Sequence, residues 1–291
     1  MQCNTKLRIL ILVVAVLAMG QSAHSMDTVT LVPGFSPDNY RYAYEYSVLK
    51  RALECTVETD GPFEIQYAAE EMSRRRVLIE LSKPDSINVH VAATRKEWES
   101  EVLPIRIPIF RGLLGYRLFL INEQSVQKFA DISDIEDLKQ LRAGLVTQWT
   151  TTSVLQAAGF RVEPVMDYDL IFKQLEFERV DYFPRGVIEI YDELEIKQSE
   201  YPNLCVEPKL ALYFPTPCYF FVSPSHPLLA DRIRRGLETM VETGELKKMV
   251  EEEYGESIQR AKLNSRYVFM IENSLLSDET PFSRKNLWFT P

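Results

Sequence analysis

The chain has 291 residues, with 33 Lys and Arg against 42 Asp and Glu, and a formal net charge of −9 at pH 7. An acidic surface repels phosphate backbones, which argues against nucleic acid as a partner. His90 and His226 are the only histidines outside the first 25 residues, so we expect no zinc site and no other cofactor.

The first 25 residues predict export. Lys6 and Arg8 precede an apolar run at residues 9–19, and small residues follow at 23–25. This order is typical of a secretory signal peptide, and the run is shorter than the roughly 20 residues that a membrane-spanning helix needs. We expect cleavage after Ser25 and a periplasmic mature protein of residues 26–291.

Residues 26–121 alternate between strand-like and helix-like patterns. Strands are predicted at residues 28–32, 63–68 and 87–92, helices at 45–57 and 70–81, and extended segments at 105–109 and 116–121. A β-α-β alternation of this kind predicts parallel sheets flanked by helices, which is an α/β fold.

A second alternating set begins near Asp131. Helices are predicted at residues 133–141, 151–158, 168–177 and 186–194, and strands at 143–147, 161–165 and 180–183. Ser133 with Glu136 three residues later predicts a capping box. An apolar segment at 210–222 then returns to the first set, and one long amphipathic helix follows at 228–254. We therefore expect two lobes, with residues 26–121 and 215–291 in lobe 1 and residues 122–214 in lobe 2.

Three stretches resemble the bacterial extracellular solute-binding proteins of family 3, the amino-acid-binding type of periplasmic receptor. They are residues 134–152 (DIEDL through TQWTTT), residues 172–181 (FKQL with RVD) and residues 226–254. The sequences at 111–117, 182–186 and 287–288 resemble a divergent branch of that family. The resemblance implies a type II two-lobe fold, a ligand cleft between the lobes, a monomer without enzymatic activity, and an ABC permease or a membrane sensor as partner.

The chain departs from the family pattern at both positions that hold an α-amino acid. Glu99 falls where the family has an arginine for the carboxylate, and Arg95 lies four residues earlier. Arg185 stands where the family has a carboxylate for the amino group. Its guanidinium predicts a grip on an anionic group, and the alternative is an ion pair with Glu189 on a helix.

The segment after the strand at 143–147 is the second candidate contact. Backbone N–H groups and the hydroxyls of Thr150, Thr151 and Thr152 are suited to hold a carboxylate or phosphate oxygen, unless one threonine only caps the helix. Trp149 is expected either to stack on the ligand or to pack as core. Further candidates for ligand contact are Glu189 beside Arg185 and four residues of lobe 1: Arg95, Arg111, Tyr40 and Tyr116.

These residues favour a small solute that is anionic or amino-acid-like. Cys205 and Cys218 flank an apolar stretch, and an oxidising compartment predicts a disulfide between them. One alternative function is a ligand-less or sensor-linked periplasmic interaction protein, because both clamp positions differ. The other is a dehydratase-like enzyme, for which Glu189 or Glu99 would be the acid or base; no nucleophile-elbow motif occurs in the sequence.

Overall fold

The computed structural model describes residues 26–39 and 42–291, so the predicted signal peptide lies outside the described residues. The strands are β1 (Asp27–Leu31), β2 (Phe63–Tyr67), β3 (Val89–Ala93), β4 (Leu103–Ile105), β5 (Tyr116–Asn122), β6 (Ala143–Val146), β7 (Val162–Val165), β8 (Phe183–Gly186), β9 (Leu204–Val206), β10 (Leu210–Tyr213), β11 (Cys218–Val222) and β12 (Tyr267–Met270). The helices are α1 (Ala43–Glu54), α2 (Val57–Asp60), α3 (Arg74–Leu81), α4 (Lys96–Glu101), α5 (Val126–Ala130), α6 (Ile135–Gln140), α7 (Thr150–Ala157), α8 (Tyr168–Glu176), α9 (Ile190–Lys197), α10 (Pro227–Glu242) and α11 (Glu245–Ala261).

The first lobe is built on β1–β4 and β11. Strand β1 pairs in parallel with β2, and β11 lies antiparallel between β3 and β4. Asn88 joins the two sheets, because its Oδ1 accepts from Thr30 N at 2.7 Å and its Nδ2 donates to Thr28 O at 2.8 Å. Helix α10 packs directly on α1: a Cβ added at Gly236 would lie 1.9 Å from the carbonyl oxygen of Ala52. Only glycine allows this approach.

The second lobe is built around β5. This strand is antiparallel to β8, β9 and β10, and β12 extends the sheet in parallel with β10. Strands β6 and β7 form a parallel pair, and a bridge from Ala143 to Tyr182 places β6 next to the start of β8. The alternation therefore predicted α/β architecture, but the sheets are mixed rather than wholly parallel.

Several predicted boundaries differ from the observed ones. The predicted helix at 228–254 is two helices, because Gly244 adopts the left-handed conformation (φ 77°) between α10 and α11. The capping box at the start of α6 is formed by Asp134 and Asp137, one residue later than predicted. The predicted helix at 186–194 begins only at Ile190, because Gly186 still belongs to β8.

The C-terminal segment packs against the rest of the molecule, which agrees with its content of apolar residues. After β12 it returns to the first lobe, where Lys96 N donates to Leu275 O at 2.9 Å. Phe289 N then donates to Arg111 O at 2.6 Å, and the Phe289 ring lies 6.0 Å from that of Tyr116. Within residues 26–39 and 42–291, none of the helices combines the length and apolarity needed to cross a bilayer.

Candidate ligand-binding cleft

A cavity of about 560 Å³ lies between the two lobes. The first lobe contributes Glu45 of α1, Phe110, and Glu253 and Tyr254 of α11, and the second contributes side chains that follow β6 and β8. Ligands in open α/β folds sit at the carboxyl ends of strands, and the size lies within the range of small-molecule sites, about 300–1,000 Å³. The cavity is therefore placed where the fold predicts a ligand.

A second concavity, of about 590 Å³, lies beside β1 and β2 in the first lobe. Its lining is mostly short and polar, including Thr30, Gln66, Asn88 and His226. It is more open to solvent than the cavity between the lobes, and no guanidinium lines it among the described residues. The interlobe cavity, hereafter the cleft, is the better candidate for specific recognition.

The threonine segment divides into two roles. Thr150 and Thr151 line the cleft at the N-terminus of α7. Thr152 instead donates its hydroxyl to Val146 O at 2.6 Å, which fixes the loop to the end of β6. Two of the three predicted threonines thus face the cleft, and the third holds the segment in place.

A hydrogen bond joins Arg95 of the first lobe, which does not itself border the cleft, to Thr150, which does. Arg95, at the start of α4, donates from Nη2 to Thr150 Oγ1 at 3.1 Å. Its Nη1 lies 3.8 Å from Glu97, and its Nε is buried without an acceptor among the described residues. Arg95 therefore couples the first lobe to the threonine segment, as expected for a residue that makes contact only when the lobes are close.

Arg185 lies at the carboxyl end of β8 and is only 6% exposed. Its Nε donates to Glu193 Oε2 at 2.6 Å, and its Nη2 lies 2.9 Å from Glu189 Oε1. Burial alone would lower the pKa of Arg185, but the two carboxylates outweigh it and hold the pKa above its usual value. The predicted alternative, an Arg185–Glu189 ion pair, is present, and Glu193 strengthens it. The positive charge of Arg185 is thus already compensated by Glu189 and Glu193.

Arg117 and Glu189 extend this network. Arg117 Nη1 donates to Glu189 Oε2 at 3.3 Å, and the same oxygen accepts from Gly186 N at 2.9 Å. Burial lowers the pKa of Arg117 to about 10, although the Glu189 charge opposes the shift. Burial would raise the pKa of Glu189, but Arg185 and Arg117 reverse that and hold it below its usual value. Glu189 is therefore an ionised carboxylate fixed between two guanidiniums.

Trp149 lies over this network. Its ring centroid is 4.7 Å from the Arg185 guanidinium carbon, and it stacks on Phe183 at 5.9 Å. The ring also borders the cleft. Both predicted roles are compatible with this position, since the inner face covers the guanidinium while the side chain borders the ligand space.

Three further candidates lie elsewhere or outside the described residues. Arg111 holds the C-terminal segment, with Nη2 donating to Trp288 O at 3.1 Å. Tyr116 packs against Tyr213 with ring centroids 4.4 Å apart, and burial raises its pKa to about 12. Neither borders the cleft. Tyr40 lies outside the described residues.

The predicted disulfide is absent. Cys205 lies on β9 and pairs with Ile121 of β5, whereas Cys218 lies on β11 and pairs with Ala93 of β3. The two residues belong to sheets of different lobes, and neither is disulfide-bonded. Closeness in sequence predicted the wrong pairing, because the chain crosses from one lobe to the other between them.

Two carboxyl groups of the first lobe that border the cleft were not predicted from the sequence. Glu45 is 9% exposed and lies on the buried face of α1 with Tyr44 and Val48, and a charged residue on an apolar helical face was the available signal. The acidic run at 251–253 has the composition of a solvated helix end. Glu251 and Glu252 do pair with Lys residues one turn earlier, but Glu253 borders the cleft.

Comparison with known structures identifies the fold of the chain. Neither a protein-family model nor the sequence of a curated protein matches the chain. An arginine-specific periplasmic binding protein of Salmonella typhimurium is 16% identical, with a TM-score of 0.55, and the match covers 80% of this chain and 100% of that one. An ancestral arginine-binding protein bound to glutamine is 16% identical, with a TM-score of 0.54 and coverage of 81% and 100%.

A third similar structure concerns glutathione import in Gram-positive bacteria via GshT and the cystine ABC importer TcyBC of Streptococcus mutans. It is 18% identical, with a TM-score of 0.55, and the match covers 79% of this chain and 96% of that one. At sequence identities of 16–18%, structural similarity establishes the fold and nothing beyond it. The chain has the two-lobe, type II fold of periplasmic binding proteins, as its sequence predicted.

Proposed function

We propose that this protein is an exported periplasmic receptor of the family 3 type, which closes its two lobes around a small solute and presents it to an ABC-type importer. The observation that carries the proposal is the cleft, whose walls come from both lobes. The Arg95–Thr150 hydrogen bond joins the two lobes beside it. Ligand binding stabilises such a closed form by its higher affinity for that form.

The structural relatives support this function by their ligands. One is specific for arginine, one is an arginine-binding protein bound to glutamine, and one concerns glutathione import through a cystine ABC importer. The protein is proposed to be a monomer. We keep the division into lobe 1 (residues 26–121 and 215–291) and lobe 2 (residues 122–214), except that β5 and β12 pair with strands of lobe 2 and are assigned to it. Thr150, Thr151, Trp149 and Arg95 remain proposed contacts of the ligand or of the closed state.

The two carboxylates that the sequence offered as acid or base, Glu189 and Glu99, support an enzymatic role poorly. A general base needs a carboxylate that can take up a proton near neutral pH, but Glu189 is held between Arg117 and Arg185, which lower its pKa. Glu99 accepts from Thr94 Oγ1 at 2.6 Å and from Arg106 Nε at 3.0 Å, and it does not border the cleft. A ligand-less interaction protein is disfavoured by the open volume of the cleft.

The test is identification of a bound solute. The protein is purified from the periplasm of the organism that produces it and examined by native mass spectrometry. It is then unfolded, and any small molecule that it releases is identified. After refolding, it is titrated calorimetrically against amino acids, short peptides, amines, sugars and dicarboxylates. We expect one class to bind and to reduce the radius of gyration in small-angle X-ray scattering.

A pair of variants locates the site. Thr151→Trp fills the cleft and should abolish binding, whereas Thr239→Trp, on the exposed side of α10, should leave it intact. Thermal melting confirms that both variants fold. A folded protein that carries no adduct, binds nothing in the panel and shows no compaction would refute the receptor function.

A further inference from the structure

The charges that line the cleft are unequal. Among the described lining residues, five carry a carboxyl group and two carry a guanidinium. Both guanidiniums, of Arg117 and Arg185, already contact Glu189 or Glu193. The other three carboxyls have no ion pair within the described chain; they belong to Glu45, Asp192 and Glu253. The uncompensated charge of the described lining is negative.

Glu45 distinguishes the cleft from an ordinary acidic surface, because its carboxyl is buried. The residue is nine-tenths buried and borders the cleft, and apart from its own amide no hydrogen-bonding group pairs with its carboxyl in the described residues. Burial, followed by the negative charges of Glu189 and Glu253, raises its pKa to about 8. A carboxyl without a partner is costly in a buried position, so a cation entering the cleft would supply the missing partner.

The neighbouring walls also suit a cation. Phe110 and Tyr254 border the cleft, with ring centroids 6.0 Å apart, and the faces of aromatic rings attract ammonium and guanidinium groups. One donor, Arg117 Nε, is buried without an acceptor among the described residues. The ligand therefore also has room for one hydrogen-bond acceptor, such as a carboxylate or amide oxygen.

We infer that the cleft selects a solute of net positive charge, whose ammonium or guanidinium group binds between Glu45, Glu253 and Asp192. The sequence favoured an anionic or amino-acid-like solute, on the basis of Arg185 and the threonine segment. The inference departs from the anionic part of that prediction, because Arg185 is neutralised inside its own lobe. The inference rests on the proposed receptor function and adds the charge of the ligand to it.

The experiment compares solutes of matched shape. Refolded, ligand-free protein is titrated with L-arginine, agmatine, L-citrulline and L-glutamate; citrulline has the shape of arginine without its side-chain charge, and agmatine lacks the carboxylate. We expect arginine or agmatine to bind about tenfold or more tightly than citrulline, the effect of one charged hydrogen bond. Glutamate should be the weakest.

Variants on α11 test the location. Glu253→Gln should weaken binding of the cationic probe about tenfold. Glu252→Gln is the matched control, because the adjacent Glu252 is exposed and pairs with Lys248 at 3.3 Å, and its substitution should change nothing. Glu45→Gln provides a second readout: binding at pH 7 should release a proton in the wild type and none in the variant, as measured calorimetrically in buffers of different ionisation enthalpy.

The outcomes separate the two proposals. Binding of glutamate or citrulline as tight as that of the cations, or equal affinities in the Glu252→Gln and Glu253→Gln variants, overturns the cationic ligand and leaves the receptor function standing. If none of the cations binds while a solute of another class in the wider panel does, the cationic ligand is likewise overturned and the receptor function stands. If no solute of any class binds to the folded protein, both proposals fall.

Discussion

Replacing Glu45 by glutamine should stabilise the unliganded protein, and the gain should grow with pH. The pKa of this carboxyl rises from 4.5 to about 8 on folding, so the folded chain keeps a proton that the unfolded chain has lost. The wild-type contribution is favourable below pH 4.5 and disappears as the pH rises to 8. Glutamine resembles the protonated carboxyl and does not titrate.

The magnitude follows from proton linkage. At about 1.4 kcal/mol per pKa unit, the difference between 4.5 and 8 corresponds to about 5 kcal/mol above pH 8. At pH 7 it is about 3 kcal/mol, and at pH 4.5 less than about 1 kcal/mol. A change of 1 kcal/mol moves the melting temperature of a chain this size by about 2–4 °C. The variant should therefore melt on the order of 10 °C higher than the wild type at pH 8.

The assay is thermal melting of both proteins at pH 4.5 and pH 8, and the quantity of interest is the change in their difference. Other charged or polar groups near Glu45 are present in both proteins, so their contributions cancel in the comparison; they are Tyr44, Tyr254, Glu189 and Glu253. Glu54→Gln, on the exposed side of the same helix, is the control and should show no pH-dependent gain. A Glu45→Gln difference that is equal at the two pH values would refute the argument that Glu45 is buried without a counter-charge.

Three other substitutions have defined outcomes. Arg185→Ala leaves two carboxylates without their guanidinium and should lower the free energy of unfolding by about 3–5 kcal/mol in urea titrations; an unchanged midpoint would show that the ion pairs are dispensable. Gly112→Ala should cost about 1–3 kcal/mol and expose the tail to proteolysis, because φ is 79° and the new Cβ would lie 2.6 Å from the Trp288 ring. Thr150→Val removes the acceptor of Arg95 and should loosen the unliganded protein, seen as a larger radius of gyration at unchanged melting temperature within about 2 °C. An identical radius would mean that this hydrogen bond does not hold the lobes together.

The sequence determined the architecture because its signals are local. Apolar periodicity and the β-α-β alternation identified most strands and helices, and the residues at 147–152 identified the threonine segment at a strand end. The division of the predicted long helix at Gly244 was not predicted, although glycine in a left-handed conformation commonly ends a helix. Errors of one to four residues at the element ends reflect competition between overlapping capping groups, such as Ser133 and Asp134.

Tertiary structure alone decided the charge of the site. Arg185 and Glu193 are eight residues apart and meet only because α9 folds back beside the end of β8. Glu45 and Glu253 are distant in sequence and come together only through the packing of α1 and α11. An arginine in a sequence is a positive charge, but in a folded protein its potential depends on the carboxylates that already surround it. The potential in the cleft is the sum of charges from both lobes, and local sequence patterns do not predict that sum.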